Sequence, residues 1–164
     1  MVEENNVFIE EEDTQKDKYM TFMSSGECYG ISIRCVNEIV GLSKIASVPE
    51  TASYVRGLIN LRGKIIPVID VRMRFGKEPL EYNDRTCVIV ITVNKTVVGL
   101  IVDKIAEVRT VEEEQIVPPP SVVNNSGQSR FIYGIVRTDE DVIMLIDPAN
   151  LISEEEQETL SNMA

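Results

Sequence analysis

Two aspartates are the residues whose type and spacing come closest to supporting catalysis. Asp70 and Asp147 each follow a run of Val and Ile residues, and paired carboxylates can serve as general acid and base. Each aspartate also lies at the end of a predicted strand, directly before Val71 or Pro148, where a carboxylate commonly caps the following turn. We therefore predict two structural caps. The alternative is a small β-barrel enzyme that uses one of them and needs a pocket with perturbed carboxylates.

A second candidate is the glycine-flanked segment 57–64, which matches a phosphate-binding loop only in part. Five residues rather than four separate its glycines, and Ile65 stands where Ser or Thr would coordinate Mg²⁺. The residues that follow predict a strand, whereas a phosphate-binding loop leads into a helix. We therefore predict a hairpin turn in which Gly63 supplies a positive φ.

The side chains that most often bind metals or accept phosphate are absent or scattered. The chain has no histidine, which removes the commonest general base and metal ligand. Cys28, Cys35 and Cys87 have apolar neighbours and no C-x-x-C spacing, which favours buried free thiols. We expect no metal site, no cofactor and no disulfide, so any phosphate chemistry belongs to a partner.

The net charge of −11 is concentrated at the two ends of the chain. Residues 1–17 hold seven acidic side chains and one lysine, and residues 153–164 hold four acidic side chains. The intervening body is close to neutral, although its part 18–77 is basic and its part 78–152 is acidic. No broad basic face is predicted, so we expect no nucleic-acid partner. An oligonucleotide-binding barrel would also need aromatics on a basic sheet, and the nine aromatics are scattered.

The length of 164 residues and the hydrophobic fraction of 43% suit one globular domain. No apolar run is long enough to span a bilayer, and the start lacks the basic-then-apolar order of a signal peptide. We expect a cytoplasmic protein without membrane insertion. Residues 1–17 are predicted to be a disordered acidic arm. Ser153 followed by three glutamates predicts a short C-terminal helix in residues 153–164.

An internal duplication organises the body of the chain. Tyr29-Gly30 precedes Glu38-Ile39 by the same spacing as Val98-Gly99 precedes Glu107-Val108. Further on, Gly57 precedes Asp70 by the same spacing as Gly134 precedes Asp147, with extra residues in the second copy that we place in the loop 119–130. Two homologous units in tandem, residues 18–80 and 81–152, explain these spacings.

Short Val- and Ile-rich segments separated by turn residues predict antiparallel strand pairs in each unit. The predicted pairs are 19–23 with 28–33, 57–61 with 64–69, 87–93 with 97–102, and 133–136 with 142–146. Units of this size bury little surface alone, so we expect an all-β protein of two small closed barrels packed together. Segment 97–102 is apolar on both faces, so the face outside its barrel needs cover from the sister unit or from a partner.

The motif in residues 55–72, Val-Arg-Gly-Leu-Ile-Asn-Leu-Arg-Gly-Lys-Ile-Ile-Pro-Val-Ile-Asp-Val-Arg, resembles the CheW family of bacterial chemotaxis coupling proteins. The resemblance covers about residues 18–152 and includes Tyr29-Gly30-Ile31 and Val98-Gly99. It implies two tandem five-stranded Src-homology-3-like (SH3-like) barrels. It also implies a non-catalytic adaptor that binds the regulatory domain of the kinase CheA and the cytoplasmic tip of methyl-accepting chemotaxis receptors, at receptor arrays on the inner face of the membrane.

The resemblance places kinase contacts around the hairpin that contains residues 56–72. The apolar excess there suits an interface in which a few desolvated anchors dominate. The predicted kinase-binding residues are Arg56, Leu58, Ile59, Leu61, Val71 and Arg72.

We predict that the receptor binds in a groove between the two units, because a helical hairpin fits a cleft with an apolar floor and charged groups at its rim. Arg62 is either a receptor or kinase contact through its fork of donors, or an arginine that is merely solvated at a turn. The predicted receptor-binding residues are Val36, Glu38, Ile39, Arg62, Val98, Leu100 and Val102.

Overall fold

The computed structural model describes residues 17–120 and 131–152, and the predicted all-β class is confirmed. The predicted acidic arm (but for Asp17), most of the loop 119–130 and the C-terminal helix lie outside the described residues. The strands are β1 (Lys18–Ser24), β2 (Glu27–Ser32), β3 (Val36–Gly41), β4 (Val55–Leu61), β5 (Lys64–Asp70), β6 (Cys87–Val93), β7 (Thr96–Val102), β8 (Lys104–Thr110), β9 (Ile116–Val117), β10 (Ile132–Arg137) and β11 (Val142–Ile146). Two one-turn helices are α1 (Val71–Arg74) and α2 (Pro148–Leu151).

The described strands form two sheets with the same internal order. The first runs β8-β1-β2-β11-β10-β9 and the second runs β3-β6-β7-β5-β4. Apart from the two-residue β9, the orders coincide when β1 to β5 are matched with β6, β7, β8, β10 and β11. Gly57 in β4 and Gly134 in β10 are then equivalent, and each follows a register shift in its hairpin. The four predicted strand pairs and the duplication are confirmed. We call the two sheets the first and second barrel.

The predicted division into one barrel from 18–80 and one from 81–152 needs correction, because each sheet takes strands from both halves. A single residue, Asp103, separates β7 from β8, whereas a hairpin needs a turn of about two residues. Strand β8 therefore continues to the other sheet and pairs with β1. Similarly, the 3₁₀ turn Ile33–Cys35 carries the chain from β2 to β3, which pairs with β6. The two homologous halves are interlocked.

The largest hydrophobic cluster contains residues of both sheets and joins them. Smaller clusters around Val68 and Leu145 lie within the second and first barrel respectively. The sister sheet therefore covers the second face of β7, and no partner is needed there. The central cluster includes Met20, Phe22, Tyr29 and Ile31 of the first barrel and Ile69, Ile89, Ile91, Val98, Leu100 and Val102 of the second.

The paired glycines of the duplication are explained by close strand packing. Gly30 lies opposite Leu145 in the parallel pair β2–β11, and Gly99 lies opposite Val68 in the parallel pair β7–β5. A Cβ at Gly30 would lie 2.9 Å from Leu145 Cδ2, and one at Gly99 would likewise lie 2.9 Å from Val68 Cγ1. Neither position has room for a larger residue. The glycine is therefore repeated because the same close contact between strands occurs in both copies.

Candidate functional site

Asp70 is a buried helix cap. Its Oδ1 accepts hydrogen bonds from the backbone N–H groups of Arg72 at 2.9 Å and Met73 at 3.4 Å. Its Oδ2 accepts a hydrogen bond from the Tyr82 hydroxyl at 2.8 Å. Burial, together with this bond to the carboxylate, raises the pKa of Tyr82 to about 12. Asp70 therefore begins α1 and anchors the segment that carries Tyr82.

Asp147 has the same role in the other copy of the repeat. Its Oδ1 accepts a hydrogen bond from the backbone N–H of Ala149 at 3.0 Å, at the start of α2. The prediction that Asp70 and Asp147 are caps is confirmed. Because each carboxylate caps its own turn in a different sheet, the two do not act together as an acid–base pair.

The glycine-flanked segment is a β4–β5 hairpin, as predicted. Arg62 and Gly63 form its turn, with φ values of 51° and 89°. Asn60 Oδ1 accepts a hydrogen bond from the Gly63 N–H at 2.9 Å and so braces the turn. Two consecutive positive φ values are typical of a type I′ turn, which matches the twist of the strands. The turn projects the Arg62 side chain, which is 70% exposed.

Next to this turn the second barrel opens into a cavity of about 550 Å³. We call this cavity the basic mouth. Residues from all five strands of the sheet and from the β6–β7 turn contribute to its wall. Its floor includes Ile66 and Val90, which are buried and belong to the cluster inside the barrel. The lining residues are Asn37, Glu38, Leu61, Arg62, Lys64, Ile65, Ile66, Val90, Lys95, Thr96 and Val97.

The rim of the basic mouth carries three cations and one carboxylate. Arg62 donates to the carboxylate of Glu38, and this ion pair joins the β4–β5 turn to β3. Lys64 and Lys95 are exposed beside it. Ile65 and Val97 are 43% and 38% exposed on the same cavity. An apolar floor with a net positive rim suits a segment that has both apolar and acidic side chains.

The predicted kinase-binding residues divide into two groups. Arg56 is exposed and Leu58 is half-buried, and Leu61 is half-buried at the basic mouth. Ile59 and Val71 are 1% and 0% exposed, so their prediction as contact residues needs correction. Ile59 and Val71 lie in apolar stretches of the sequence, and their side chains fill the hydrophobic clusters instead of facing a partner.

Arg72, which was also predicted to contact the kinase, is committed within the chain. Its Nε and Nη2 donate to the Asp103 carboxylate at 2.8–3.1 Å. Asp103 also accepts a hydrogen bond from the Ser25 N–H at 2.9 Å. The bond to Asp103 raises the pKa of Arg72. This network ties α1 to the end of β7 and to the β1–β2 turn.

The predicted receptor-binding residues are only partly brought together. Glu38 and Arg62 meet at the basic mouth, and Ile39 is 36% exposed on β3. Val36 is half-buried and packs against the central cluster. The remaining three need correction, because at most 1% of each is exposed and their side chains fill the space between the sheets: Val98, Leu100 and Val102.

Three residues of the mouth were not predicted from the sequence to be site residues: Ile65, Val97 and Lys95. The available signal was the alternation in β5 and β7. Val98 and Leu100 point into the central cluster, so Val97 points to the other face, toward the mouth. One face of the sheet lines both the buried core and the open end of the barrel. Alternation therefore predicts which residues point inward, but not which of them lies at the open end and is exposed.

Within residues 17–120 and 131–152, no three Cys, Asp or Glu side chains lie close enough to hold a metal ion. No helix among those residues is long and apolar enough to cross a membrane. Cys28, Cys35 and Cys87 are free thiols, and each is half-buried, whereas full burial was predicted.

Comparison with known proteins identifies the family. The family model described as CheW-like domain matches residues 18–156. The chemotaxis protein CheW of Klebsiella aerogenes is 32% identical over 152 residues, covering 93% of this chain and 91% of the relative. The chemotaxis protein CheW of Bacillus subtilis is 36% identical over 140 residues, covering 85% of this chain and 88% of the relative. The crystal structure of the scaffolding protein TtCheW from Thermoanaerobacter tengcongensis matches with a TM-score of 0.76 and 37% identity, covering 84% of this chain and 92% of that one. On this extent of similarity in both sequence and fold, the chain belongs to the CheW-like domain family.

Proposed function

We propose that this protein is a non-catalytic scaffold of bacterial chemotaxis that couples methyl-accepting receptors to the histidine kinase CheA. The observation that carries the proposal is the family match over residues 18–156, supported by relatives named chemotaxis protein CheW. The two aspartates with the best claim to catalysis both cap turns, which favours an adaptor over an enzyme. A receptor-coupling role places the protein at the cytoplasmic face of receptor arrays.

The kinase regulatory domain is proposed to dock on the basic mouth and the adjoining β4–β5 hairpin. Leu61, Ile65 and Val97 offer apolar contacts in a cavity, which is how binding anchors are usually arranged. Arg62, Lys64 and Lys95 surround them with positive charge. Arg56 and Leu58 extend the surface along β4.

The receptor tip is proposed to bind along β3, which lies at the edge of the second sheet. Ile39 offers exposed apolar surface there, and Val36 lies two residues before Glu38 on the same strand. The ion pair of Glu38 with Arg62 then connects the receptor surface with the kinase surface. A partner that pairs with Glu38 or with Arg62 would release the other residue from this ion pair. We therefore propose that Arg62 transmits the state of the receptor to the kinase.

Charge substitutions at matched positions test the two surfaces separately. Ile65→Asp should weaken binding to the CheA regulatory domain by about 2 kcal/mol, or roughly 30-fold, because an unpaired carboxylate would be buried in the interface. Val142→Asp is the matched control, since Val142 is the equivalent residue of the first barrel and is 50% exposed. Ile39→Asp should weaken binding to a receptor fragment and spare binding to CheA.

Calorimetric titration of each folded variant against both partners is the measurement, with circular dichroism to establish folding. Arg62→Ala should reduce receptor-dependent kinase activity more than it reduces either binding affinity. Equal losses toward both partners for Ile65→Asp and Ile39→Asp, or no loss for either variant, would contradict the assignment of surfaces.

A further inference from the structure

We propose that the acidic N-terminal arm of this chain binds in its own basic mouth and blocks that surface in the free protein. The arm residues concerned are 7–13, Val-Phe-Ile-Glu-Glu-Glu-Asp. The docking itself does not depend on which partner uses the mouth. Its regulatory consequence rests on the proposed function, in which the kinase binds there.

The basic mouth presents two features that a ligand must satisfy together. Its cavity of about 550 Å³ falls in the usual range for sites that enclose an apolar group. Ile65 and Val97 leave apolar surface exposed inside it. Lys64 and Lys95 are exposed at its rim, and the adjoining Arg62 is mostly exposed although it contacts Glu38. The fitting occupant is a short segment with a large apolar side chain directly next to a run of carboxylates.

Residues 7–13 have this composition. Val7, Phe8 and Ile9 form an uninterrupted apolar triplet, and four acidic residues follow at once. The acidic tail 153–164 has a similar glutamate run but no such triplet beside it. Both features of the mouth are therefore matched by the N-terminal segment and only one by the tail.

The length of chain is sufficient for the segment to reach the mouth. Tyr19 pairs with Ser32, which precedes the mouth residue Asn37 by five positions. Paired strands are about 5 Å apart and a chain advances at most about 3.6 Å per residue, so Tyr19 lies within about 23 Å of the mouth. Lys18 pairs with Thr110, and the Asp17 carbonyl accepts a hydrogen bond from the Val111 N–H, so the linker is counted from Asp17. Asp17 is two residues before Tyr19 and therefore lies within about 30 Å of the mouth. Phe8 precedes Asp17 by nine residues, which span up to about 32 Å when extended and so can reach it.

Tethering makes a weak contact effective. A segment joined by a short linker meets its site at an effective concentration of about millimolar, whatever the protein concentration. The opposite charges also favour approach and make the contact sensitive to salt. A partner that binds the mouth must first displace the arm, so its apparent affinity falls by the fraction of molecules with a free mouth.

The test compares two matched triple variants of the full chain by ¹H–¹⁵N NMR. Glu10→Gln/Glu11→Gln/Glu12→Gln removes the acidic run of the arm, and Glu154→Gln/Glu155→Gln/Glu156→Gln removes the same run from the tail. We expect the first variant, and Phe8→Ser separately, to shift the backbone amide signals of Gly63, Thr96 and Val97. The tail variant should leave them unchanged, and high salt should shift them in the wild type as the arm variant does.

Three outcomes would overturn the proposal. The mouth signals stay in place in the arm variants, both triple variants shift them equally, or the wild-type signals change on dilution. The last result would mean that the arm of a second copy occupies the mouth. Arg62→Ala/Lys95→Ala supplies a check from the other side, because the arm variants should then produce no further shift of the Thr96 signal.

Affinity for the CheA regulatory domain separates this proposal from the proposed function. The arm triple variant should bind about three- to tenfold more tightly than the wild type, and the tail variant should bind equally to it. If the NMR shifts are seen and the affinity is unchanged, arm docking stands, and the assignment of the kinase to the mouth is wrong. If the affinity rises without NMR shifts, the docking is wrong and a general charge effect explains the gain.

Discussion

The open end of the second barrel is built from strands equivalent to those at the matching end of the first barrel, but the two ends carry opposite charges. Arg62 and Lys64 of the β4–β5 hairpin correspond to Asp139 and Asp141 at the β10–β11 hairpin. Thr96 at the mouth corresponds to Glu27. Burial raises the pKa of Cys28, and the charge of Asp141 at this acidic end adds to the increase, whereas Arg109 opposes it. The duplication has kept the architecture of this end and reversed its electrostatics.

The features that the two copies share are those that the backbone requires. The glycine of β2 and β7 admits a neighbouring side chain, the glycine of β4 and β10 follows a bulge, and the final aspartate caps a turn. Features that differ lie at the exposed ends. Repetition therefore identifies fold determinants in this chain, and divergence between equivalent positions identifies candidate recognition residues.

The largest expected difference between the copies concerns Gly57 and Gly134. Gly57 has a φ of 140°, and a Cβ there would lie 2.0 Å from the backbone oxygen of Ala46. Gly134→Ala would instead meet the Ile116 Cγ2 methyl at 2.6 Å, on a side chain that can rotate. We expect Gly57→Ala to lower the free energy of unfolding by about 3 kcal/mol or more, and Gly134→Ala by about 1 kcal/mol.

Urea unfolding followed by circular dichroism measures both losses. Gly41→Ala is the control, because a Cβ at Gly41 has no atom within 4 Å and its unfolding free energy should change by less than about 0.5 kcal/mol. Equal losses for Gly57→Ala and Gly134→Ala would mean that the two bulges are under the same constraint, which the contacts contradict.

The two caps should differ next. Asp70→Ala leaves the N–H groups of Arg72 and Met73 and the Tyr82 hydroxyl without an acceptor, and we expect a loss of about 2–3 kcal/mol. Asp147→Ala removes the acceptor of one N–H group, so a loss of about 1 kcal/mol is expected. The same unfolding assay applies.

A double-mutant cycle tests the cause of that difference. Tyr82→Phe removes the hydroxyl that donates to Asp70, so Asp70→Ala should cost less in that background by about 1 kcal/mol. If the losses in unfolding free energy are additive, the hydrogen bond from Tyr82 does not explain why the Asp70 cap contributes more to stability than the Asp147 cap.

Local features of this fold could be predicted from sequence because they depend on neighbouring residues. The four hairpins follow from alternation and turn residues, and the caps at Asp70 and Asp147 follow from strand ends. The spacing of glycines in the duplication also identified equivalent strands. The Arg62-Gly63 turn was expected to be a hairpin for the same reason, although the positive φ of Arg62 itself was not anticipated.

The exchange of strands between the sheets could not be predicted, because it depends on long-range pairing. Sequence spacing gives the same repeat whether β3 returns to its own half or pairs with β6. The same limitation misplaced Val98, Leu100 and Val102. Their apolar face was recognised, but only the position of the sister sheet shows that it is covered. The partner contacts of the remaining surface residues stay predictions.

The smallest expected effect is a test of the charge reversal through Cys28, which corresponds to Val97 at the basic mouth. Burial is the main cause of its raised pKa, the Asp141 charge adds to it, and Arg109 opposes it. Asp141→Asn should therefore lower the pKa of Cys28, increase its thiolate fraction near pH 8 and speed its alkylation by iodoacetamide about twofold. The difference should vanish well above the pKa, where the thiol is ionised in both proteins. Asp139→Asn is the matched control in the same turn, and mass spectrometry of the Cys28 peptide gives the rate. Equal acceleration by both substitutions would mean that the acidic end acts as a diffuse field, whereas no acceleration by either would mean that burial alone sets the reactivity of Cys28.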